Sequence, residues 1–417
     1  MTDYFLVCTK IVSMKKRAYY RNIWAEFDAE KHLVFVSGPR QAGKTTLARD
    51  IASRQAASVY LNYDVPVDRA ELLRNPVFFE EVDRKEGDVP LVVLDEIHKY
   101  SDWKNYLKGV YDGYSDAFRF LVIGSGRLDR SRHKGDSLAG RYLHFHIFPF
   151  TLGELFSPSV AIAAAAHLRS VPEENRQARK AWDTMFHVSG FPEPFIKGAE
   201  TSYRRWAASY HSQVIRDDIR DEFAVRRVDR MEMLYLLLAD RVGSPVSVAA
   251  LARTLKVAHT TVTSWLDVLE RFFLTFRLRT YSRRISRSIV KDSKLYFYDY
   301  RRIDDPGARF ENMVAVELNR AVTLWRDFGL GDFQLLYLRN KDKQEVDFLV
   351  TEGAVPRFMV EAKLSDPAVG PQLKKFQNAL NVPAIQLVNQ LGIGRRISNG
   401  ANTILVASAA DWLAGLH

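Results

Sequence analysis

Apolar residues in this chain gather into short unbroken runs, set apart by stretches of helical period or by turn residues. The runs at 33–36, 89–94 and 118–123 predict strands buried on both faces, the pattern of a parallel sheet. Shorter runs at 58–62 and 142–147 predict two more strands. Between them lie a helix-forming stretch (46–52), a polar, helical crossover (71–83) and an amphipathic helix (103–111). Strands alternating with helices predict right-handed crossovers and a ligand site at the C-terminal edge of the sheet.

Past residue 157 the pattern changes. Residues 157–180 hold an alanine run and then Pro172-Glu-Glu-Asn-Arg, which reads as the end of the first sheet. A turn at 190–194 and mixed-charge helices at 202–220 and 229–241 follow. Segments 247–255 and 260–269, joined at Lys256-Val-Ala-His259, fit a helix-turn-helix with Leu251, Ala252, Leu255, Val257, Val262, Trp265 and Leu266 inward. Runs at 272–278 and 295–298 predict the two strands of a wing. The last third predicts an amphipathic helix (310–318), a hairpin (335–339 and 345–350), a strand (358–363), a helix (366–380) and strands at 384–388 and 403–406. The expected architecture is α/β: a P-loop ATPase parallel sheet, a winged helix-turn-helix, then a nuclease-like α/β domain. The expected boundaries are 1–157 (N-terminal extension and P-loop domain), 158–245 (helical linker), 246–300 (winged helix) and 301–417 (nuclease-like domain).

Chemistry enters directly after the first strand, at Gly38-x-x-x-x-Gly43-Lys44-Thr45. This is a phosphate-binding loop in the context it requires, strand before and helix after. Its glycines let backbone N–H groups turn toward phosphate oxygens, and the helix N-terminus adds partial positive charge. Gly38, Pro39, Arg40, Gln41, Ala42, Gly43, Lys44, Thr45 and Thr46 form the expected ATP cradle. Lys44 reaches for the β- and γ-phosphates and Thr45 for Mg²⁺. The strand at 89–94 ends in Asp95-Glu96: Asp95 for the Mg²⁺ shell, Glu96 to orient or deprotonate a water. Ser125, after the third long strand, sits either where a γ-phosphate is sensed or in a plain glycine turn. Arg141 contacts γ-phosphate, in cis or across the subunit boundary of a homo-oligomer, or forms an exposed salt bridge.

Downstream, His259, Thr260, Thr261, Thr263 and Ser264 open the second helix of the helix-turn-helix with small polar groups that suit base edges or phosphates. Arg279, Arg283, Arg284, Arg287 and Lys291 form a basic excursion inside the wing, suited to duplex DNA. A protein scaffold is the competing role for such a unit. In the last third, Glu361 and Lys363 share a strand face because side chains alternate. With Asp347 on the neighbouring strand and Glu311 from the helix, they could hold a second divalent metal, the lysine polarising water or phosphate. The alternative is a nuclease-like fold that does not cut.

Bulk properties narrow the class. A length of 417 residues calls for two or three domains, and 47% hydrophobic with 26% charged residues is ordinary for a soluble protein. A net charge of +10 and a pI near 9.4 suit a polyanionic partner, DNA or an acidic protein. The single cysteine, Cys8, excludes a disulfide framework and fits a reducing, cytoplasmic setting. No run reaches membrane-spanning length. The first eight residues are too short and too weakly basic for a signal peptide, and Met14 offers a second start.

Taken together, Gly-Pro-Arg-Gln-Ala-Gly-Lys-Thr-Thr (38–46), Leu-Asp-Glu-Ile-His-Lys (94–99), Ser-Leu-Ala-Gly-Arg (137–141), Tyr-Phe-Tyr-Asp (296–299), Phe-Glu-Asn (310–312), Glu-Val-Asp-Phe (345–348) and Glu-Ala-Lys (361–363) resemble a prokaryotic family of AAA+-superfamily ATPases. That family joins the ATPase to a winged helix and a C-terminal restriction-endonuclease-like domain of the PD-(D/E)xK type. The resemblance runs from about residue 17 to about residue 375. It implies ATP binding by residues 38–46 with Asp95 and Glu96, and a nuclease-like core at Glu311, Asp347, Glu361 and Lys363. Where the family has serines after the sensor strand, this chain has Gly124-Ser125-Gly126-Arg127.

Overall fold

The computed structural model describes residues 17–30, 32–124, 138–157, 159–163, 166–219, 227–282 and 293–416. Ser125, Arg283, Arg284, Arg287 and Lys291 lie outside the described residues. Two compact units meet in sequence at Phe148 and Pro149. Among the described residues, no helix is long and apolar enough to cross a membrane.

The first unit is built on five parallel strands: β1 (Leu33–Ser37), β2 (Ser58–Asn62), β3 (Leu91–Asp95), β4 (Arg119–Gly124) and β5 (Tyr142–His146). Their order is β2-β3-β4-β1-β5. The inner strands β1 and β3 are buried at every position, while the edge strand β2 is mostly half-exposed, as its mixed composition predicts. Aromatics close one face, with Phe79 edge-on to Phe118 at 5.0 Å and to Phe120 at 5.5 Å. The crossover differs from expectation. Its helix is Pro66–Arg74, followed by a single turn at Phe78–Glu81. Asn75 precedes Pro76, whose ring disfavours helical backbone in the residue before it, so the helix ends there.

The second unit holds one eight-stranded sheet: β6 (Thr275–Thr280), β7 (Lys294–Phe297), β8 (Phe333–Arg339), β9 (Glu345–Glu352), β10 (Val355–Lys363), β11 (Ala384–Val388), β12 (Gly394–Asn399) and β13 (Asn402–Ser408). Their order is β12-β13-β11-β10-β9-β8-β6-β7. The two expected wing strands therefore do not stand apart. They form its far edge, β6 antiparallel to β7 and parallel to β8 through Arg279↔Leu336 and Thr280↔Tyr337. Strand β12 went unforeseen because no face of it is buried; the Asn399-Gly400 step was its signal, a hairpin turn dipeptide with Gly400 at φ 61°. Residues 202–220 were expected as one helix; a helix over Glu200–Ser212 continues as a wider π-helical stretch over Gln213–Ile219.

Helix Pro306–Asp327 runs well beyond the expected 310–318. It starts on Asp305, whose carboxylate accepts the Ala308 N–H at 2.7 Å. Its buried face continues past Asn319 through Ala321, Val322, Leu324 and Trp325, and Arg320, also buried, donates to the Leu416 carbonyl at 2.6 Å. Asn312 on this helix copies a strand partner. It accepts the Phe297 N–H at 2.8 Å and donates to the Phe297 carbonyl at 2.7 Å, pinning β7 at the end of the sheet. Asn312→Ala should therefore leave both buried Phe297 groups unpaired and cost about 2–4 kcal/mol, read as a lower urea midpoint at unchanged slope, with Asn312→Asp intermediate.

Candidate functional site

In the first unit every strand is parallel, so the loops after β1 and β3 emerge at one edge. The loop after β1 needs unusual backbone at three places: Gly38 at φ 155°, Gln41 at φ 56° and Gly43 at φ 93°. A Cβ on Gly38 would collide with the Ile147 carbonyl. Such a backbone gathers N–H groups into a concavity that suits phosphate oxygens. Lys44 is buried, and its Nζ donates to the carbonyls of Gly38 at 2.9 Å and Pro39 at 2.7 Å. Helix Lys44–Ala52 begins directly behind the loop.

Asp95 and Glu96 lie at that edge, as expected. The Thr45 hydroxyl donates to Asp95 Oδ2 at 3.1 Å, which links loop helix to acid-tipped strand. Burial pushes the Asp95 carboxyl above its usual range, against the hydrogen bond it accepts from Tyr60. Glu96 takes a left-handed backbone, φ 56°, with its N–H on the Ile123 carbonyl at 2.9 Å. Its carboxylate lies 3.4 Å from His98 Nε2 and 3.6 Å from Lys99 Nζ, and Lys99 also grips Asp64 at 2.6 Å. Gln41 and Thr46 are exposed and Arg40 is half-buried.

Arg141 takes the second of its two expected roles within its own chain. Its carbonyl accepts the Leu33 N–H, and β5 pairs with β1 from Leu33↔Tyr142 onward. That puts Arg141 where β1 begins, whereas the phosphate loop leaves where β1 ends. Its guanidinium is bidentate on Asp112, at 2.8 and 3.3 Å, the salt-bridge alternative. Two residues escaped the sequence reading. Tyr60 donates to the same Asp95 oxygen as Thr45, from two positions inside β2. Arg17 lies beneath the loop, donating to the Ala42 carbonyl and, at 2.6 Å, to that of Phe148. Neither belongs to a local motif; partners 35 residues away for Tyr60, and 25 and 131 for Arg17, leave no trace in spacing.

In the second unit, helices Val248–Leu255 and His259–Arg271 meet across Lys256, which turns the chain at φ 52°. The inward residues are buried as expected except Val257, which is half-buried. His259, Thr260 and Ser264 are exposed; Thr261 and Thr263 are half-buried. Thr260, Thr263 and Ser264 line a groove of about 300 Å³ together with Asp267 and Arg271. Arg277 is held by Asp267 and Glu270 at 2.6 Å each, while Arg279 is exposed.

The C-terminal residues do converge. Asp347 Oδ2 accepts the Ala362 N–H at 3.0 Å, the Asp347 N–H donates to Glu361 Oε2 at 3.3 Å, and Glu361 Oε1 pairs with Lys363 Nζ at 2.7 Å. One residue was not foreseen. Lys294, at the start of β7 and fully buried, places Nζ 3.2 Å from Glu311 Oε1, 3.2 Å from Glu345 Oε1 and 3.2 Å from Asp347 Oδ1. Tyr296 also donates to Glu311 Oε1, at 2.7 Å. Where a metal was expected among Glu311, Asp347 and Glu361, an ammonium contacts two of the three, Glu311 and Asp347. Among the described residues no group of three or more His, Cys, Asp or Glu is disposed to hold a metal ion.

Burial, and then the Asp347 charge, push Glu361 up to about 8 and Glu311 up to about 7. Burial alone would lower the Lys294 ammonium, but Asp347, Glu311 and Glu345 outweigh it and raise it.

Comparison with known proteins fits the first unit. Residues 30–156 match the family described as "AAA domain", so this part of the chain is an AAA+-type P-loop ATPase domain. Residues 179–300 match "Domain of unknown function (DUF8612)", a span that takes in helices Val248–Leu255 and His259–Arg271 together with β6 and β7. An uncharacterized protein of Mycobacterium tuberculosis is 24% identical over 368 residues, 85% of this chain and 76% of that protein. One from Haemophilus influenzae is 22% identical over 361 residues, 81% of this chain and 84% of its own. Among solved structures, Aeropyrum pernix ORC1 in complex with DNA covers 68% of this chain and 86% of its own at 13% identity and TM-score 0.31. The Saccharomyces cerevisiae Hsp104–ADP complex covers 71% and 43% at 12% identity and TM-score 0.28. Scores that low establish no common fold, and the nucleotide assignment rests on the family match and the loop.

The raised carboxyls have a consequence for stability. A glutamic acid near 4.3 when unfolded but near 7 to 8 when folded stabilises the fold fully below about pH 4 and loses that contribution as pH rises through 7 to 8. Urea stability should accordingly fall between about pH 5 and 8, and Glu361→Gln should flatten that fall; a profile that Glu361→Gln leaves unchanged would count against the raised Glu361.

Proposed function

We propose that this chain binds and hydrolyses ATP and that its nucleotide state controls how the C-terminal unit engages DNA. The observation that carries the proposal is one sheet edge bearing Lys44, Thr45, Asp95 and Glu96, with Thr45 and Asp95 already hydrogen-bonded. ATP phosphates would enter the concavity of residues 38–43 and draw Lys44 Nζ from the Gly38 and Pro39 carbonyls to phosphate oxygen. Thr45 and Asp95 fit Mg²⁺, a hydroxyl beside a carboxylate, and the bound ion would supply charge neutralisation at the β- and γ-phosphates. Glu96 is the candidate base. His98 Nε2 and Lys99 Nζ stand 3.4 and 3.6 Å from its Oε2, so a water it engages would lie beside a second donor group. Arg141 would serve only from a neighbouring subunit.

DNA is proposed as the partner from the net charge of +10 and the exposed polar start of helix His259–Arg271. Asp267 in the groove beside it limits which phosphates could lie there. Arg283, Arg284 and Arg287 remain part of the proposal on sequence grounds. A second reading, in which the nuclease-like unit binds or regulates and cuts nothing, is favoured by the Lys294 contacts in its carboxylate cluster.

Lys44→Ala removes a charge-assisted bond worth about 1.5–3 kcal/mol and should weaken ATP binding about 10- to 150-fold. Glu96→Gln should keep ATP affinity and lose phosphate release. Unchanged ATP affinity in Lys44→Ala would sink the nucleotide site. Plasmid DNA incubated with protein, ATP and Mg²⁺ or Mn²⁺ separates the two readings: cleavage lost in Lys363→Ala supports the nuclease, and a salt-sensitive, ATP-dependent mobility shift without cleavage supports the regulator.

A further inference from the structure

We propose that Lys294 is the resident cation of the C-terminal carboxylate cluster, and that the cluster takes no divalent metal while that ammonium is in place. Three observations lead there. Hard divalent cations gather oxygen ligands at roughly 2.0–2.6 Å, so a metal shared by Glu311 and Asp347 would need the space between their oxygens. Lys294 Nζ has that space, at 3.2 Å from Glu311 Oε1, from Glu345 Oε1 and from Asp347 Oδ1. An ammonium has three N–H donors, and here three carboxylates stand within reach of them.

Several of the neighbouring oxygens are also engaged. Asp347 Oδ2 serves the Ala362 N–H, Glu361 serves Lys363 and the Asp347 N–H, and Glu311 Oε1 is shared with Tyr296. Charge is close to balanced within the protein: Glu311, Glu345, Asp347 and Glu361 face Lys294 and Lys363, with Arg339 3.8 Å from Glu345. A divalent ion among these oxygens would meet a fully buried ammonium at contact distance, a repulsion the low-dielectric surroundings would not screen. Nor is Lys294 a loose surface side chain. Its backbone pairs with Leu278 and with Pro245 on either side.

The donor set thus fits a monovalent cation carried by the chain and does not fit the second metal that a nuclease-like core implies. Removing the ammonium should turn the same oxygens into a divalent site. This inference does not depend on ATP binding and is tested without nucleotide.

Titration of the nucleotide-free full chain with MnCl₂, by calorimetry, is the test. Wild type is expected to show no Mn²⁺ site sensitive to Asp347→Asn. Lys294→Met is expected to bind one Mn²⁺ at least about tenfold more tightly than wild type, with Mn²⁺ raising its melting temperature, and Lys294→Met/Asp347→Asn to lose both. Mn²⁺ binding by wild type that Asp347→Asn abolishes would overturn the proposal, as would a folded Lys294→Met that gains no Mn²⁺ affinity. If Lys294→Met is unfolded in metal-free buffer, circular dichroism during refolding in MnCl₂ decides: recovery supports the substitution of one cation for another, and no recovery overturns it.

Discussion

One buried ammonium fastens the C-terminal unit together. Lys294 stands on an edge strand, Glu311 on the central helix, and Glu345 and Asp347 on β9, three elements that meet at one nitrogen. Taking so many charges out of water is costly, and the cost is offset only when each finds a partner. That requirement organises the surroundings. Asn312 holds β7 to the helix so that Lys294 cannot drift, and Gly243 has no Cβ because one would come within 2.7 Å of Glu311 Oε2. Sequence segments that look like separate motifs (Tyr-Phe-Tyr-Asp, Phe-Glu-Asn and Glu-Val-Asp-Phe) are parts of one electrostatic arrangement.

The nucleotide unit follows a different rule. Its loop places backbone groups and a lysine around a concavity meant for an incoming polyanion, and Lys44 meanwhile rests on the loop's own carbonyls. The two units thus treat charge in opposite ways. One holds its lysine on neutral backbone carbonyls; the other has paired its anions with a cation from within.

How much could be read from sequence depended on how local the cause was. The phosphate loop was legible because its backbone demands are met by consecutive residues, Gly38 through Thr45. Asp347, Glu361 and Lys363 were legible because strand alternation and a short hairpin bring them together. Lys294 was not, since its partners Glu311 and Asp347 lie 17 and 53 residues on, and a lysine opening a strand is unremarkable by itself. Arg141 was open to two roles from sequence, and topology favours the salt bridge within its own chain: a residue just before a parallel strand lies opposite the loops that follow such strands. The crossover helix was misplaced for want of weighing Pro66, which opens it, and Pro76, which forces its end. The length of the central helix was hidden for a related reason, since Arg320 lies past its expected end and is buried on a carbonyl far along the chain.

The pairing of β6 with β8 reaches beyond architecture. The helix pair of residues 248–271 does not lead into a free-standing hairpin; the strand that follows it, β6, is stitched to a partner some fifty residues later through Arg279, Thr280 and the Tyr281 N–H on the Tyr337 carbonyl. A protein cut at residue 300 would keep both helices yet present the inner edge of β6 bare, a row of unpaired backbone groups that invites strand addition from another molecule. During synthesis the same edge must wait, exposed, until β8 has emerged. The part of this chain that looks most like a portable module is therefore one that cannot be carried away intact.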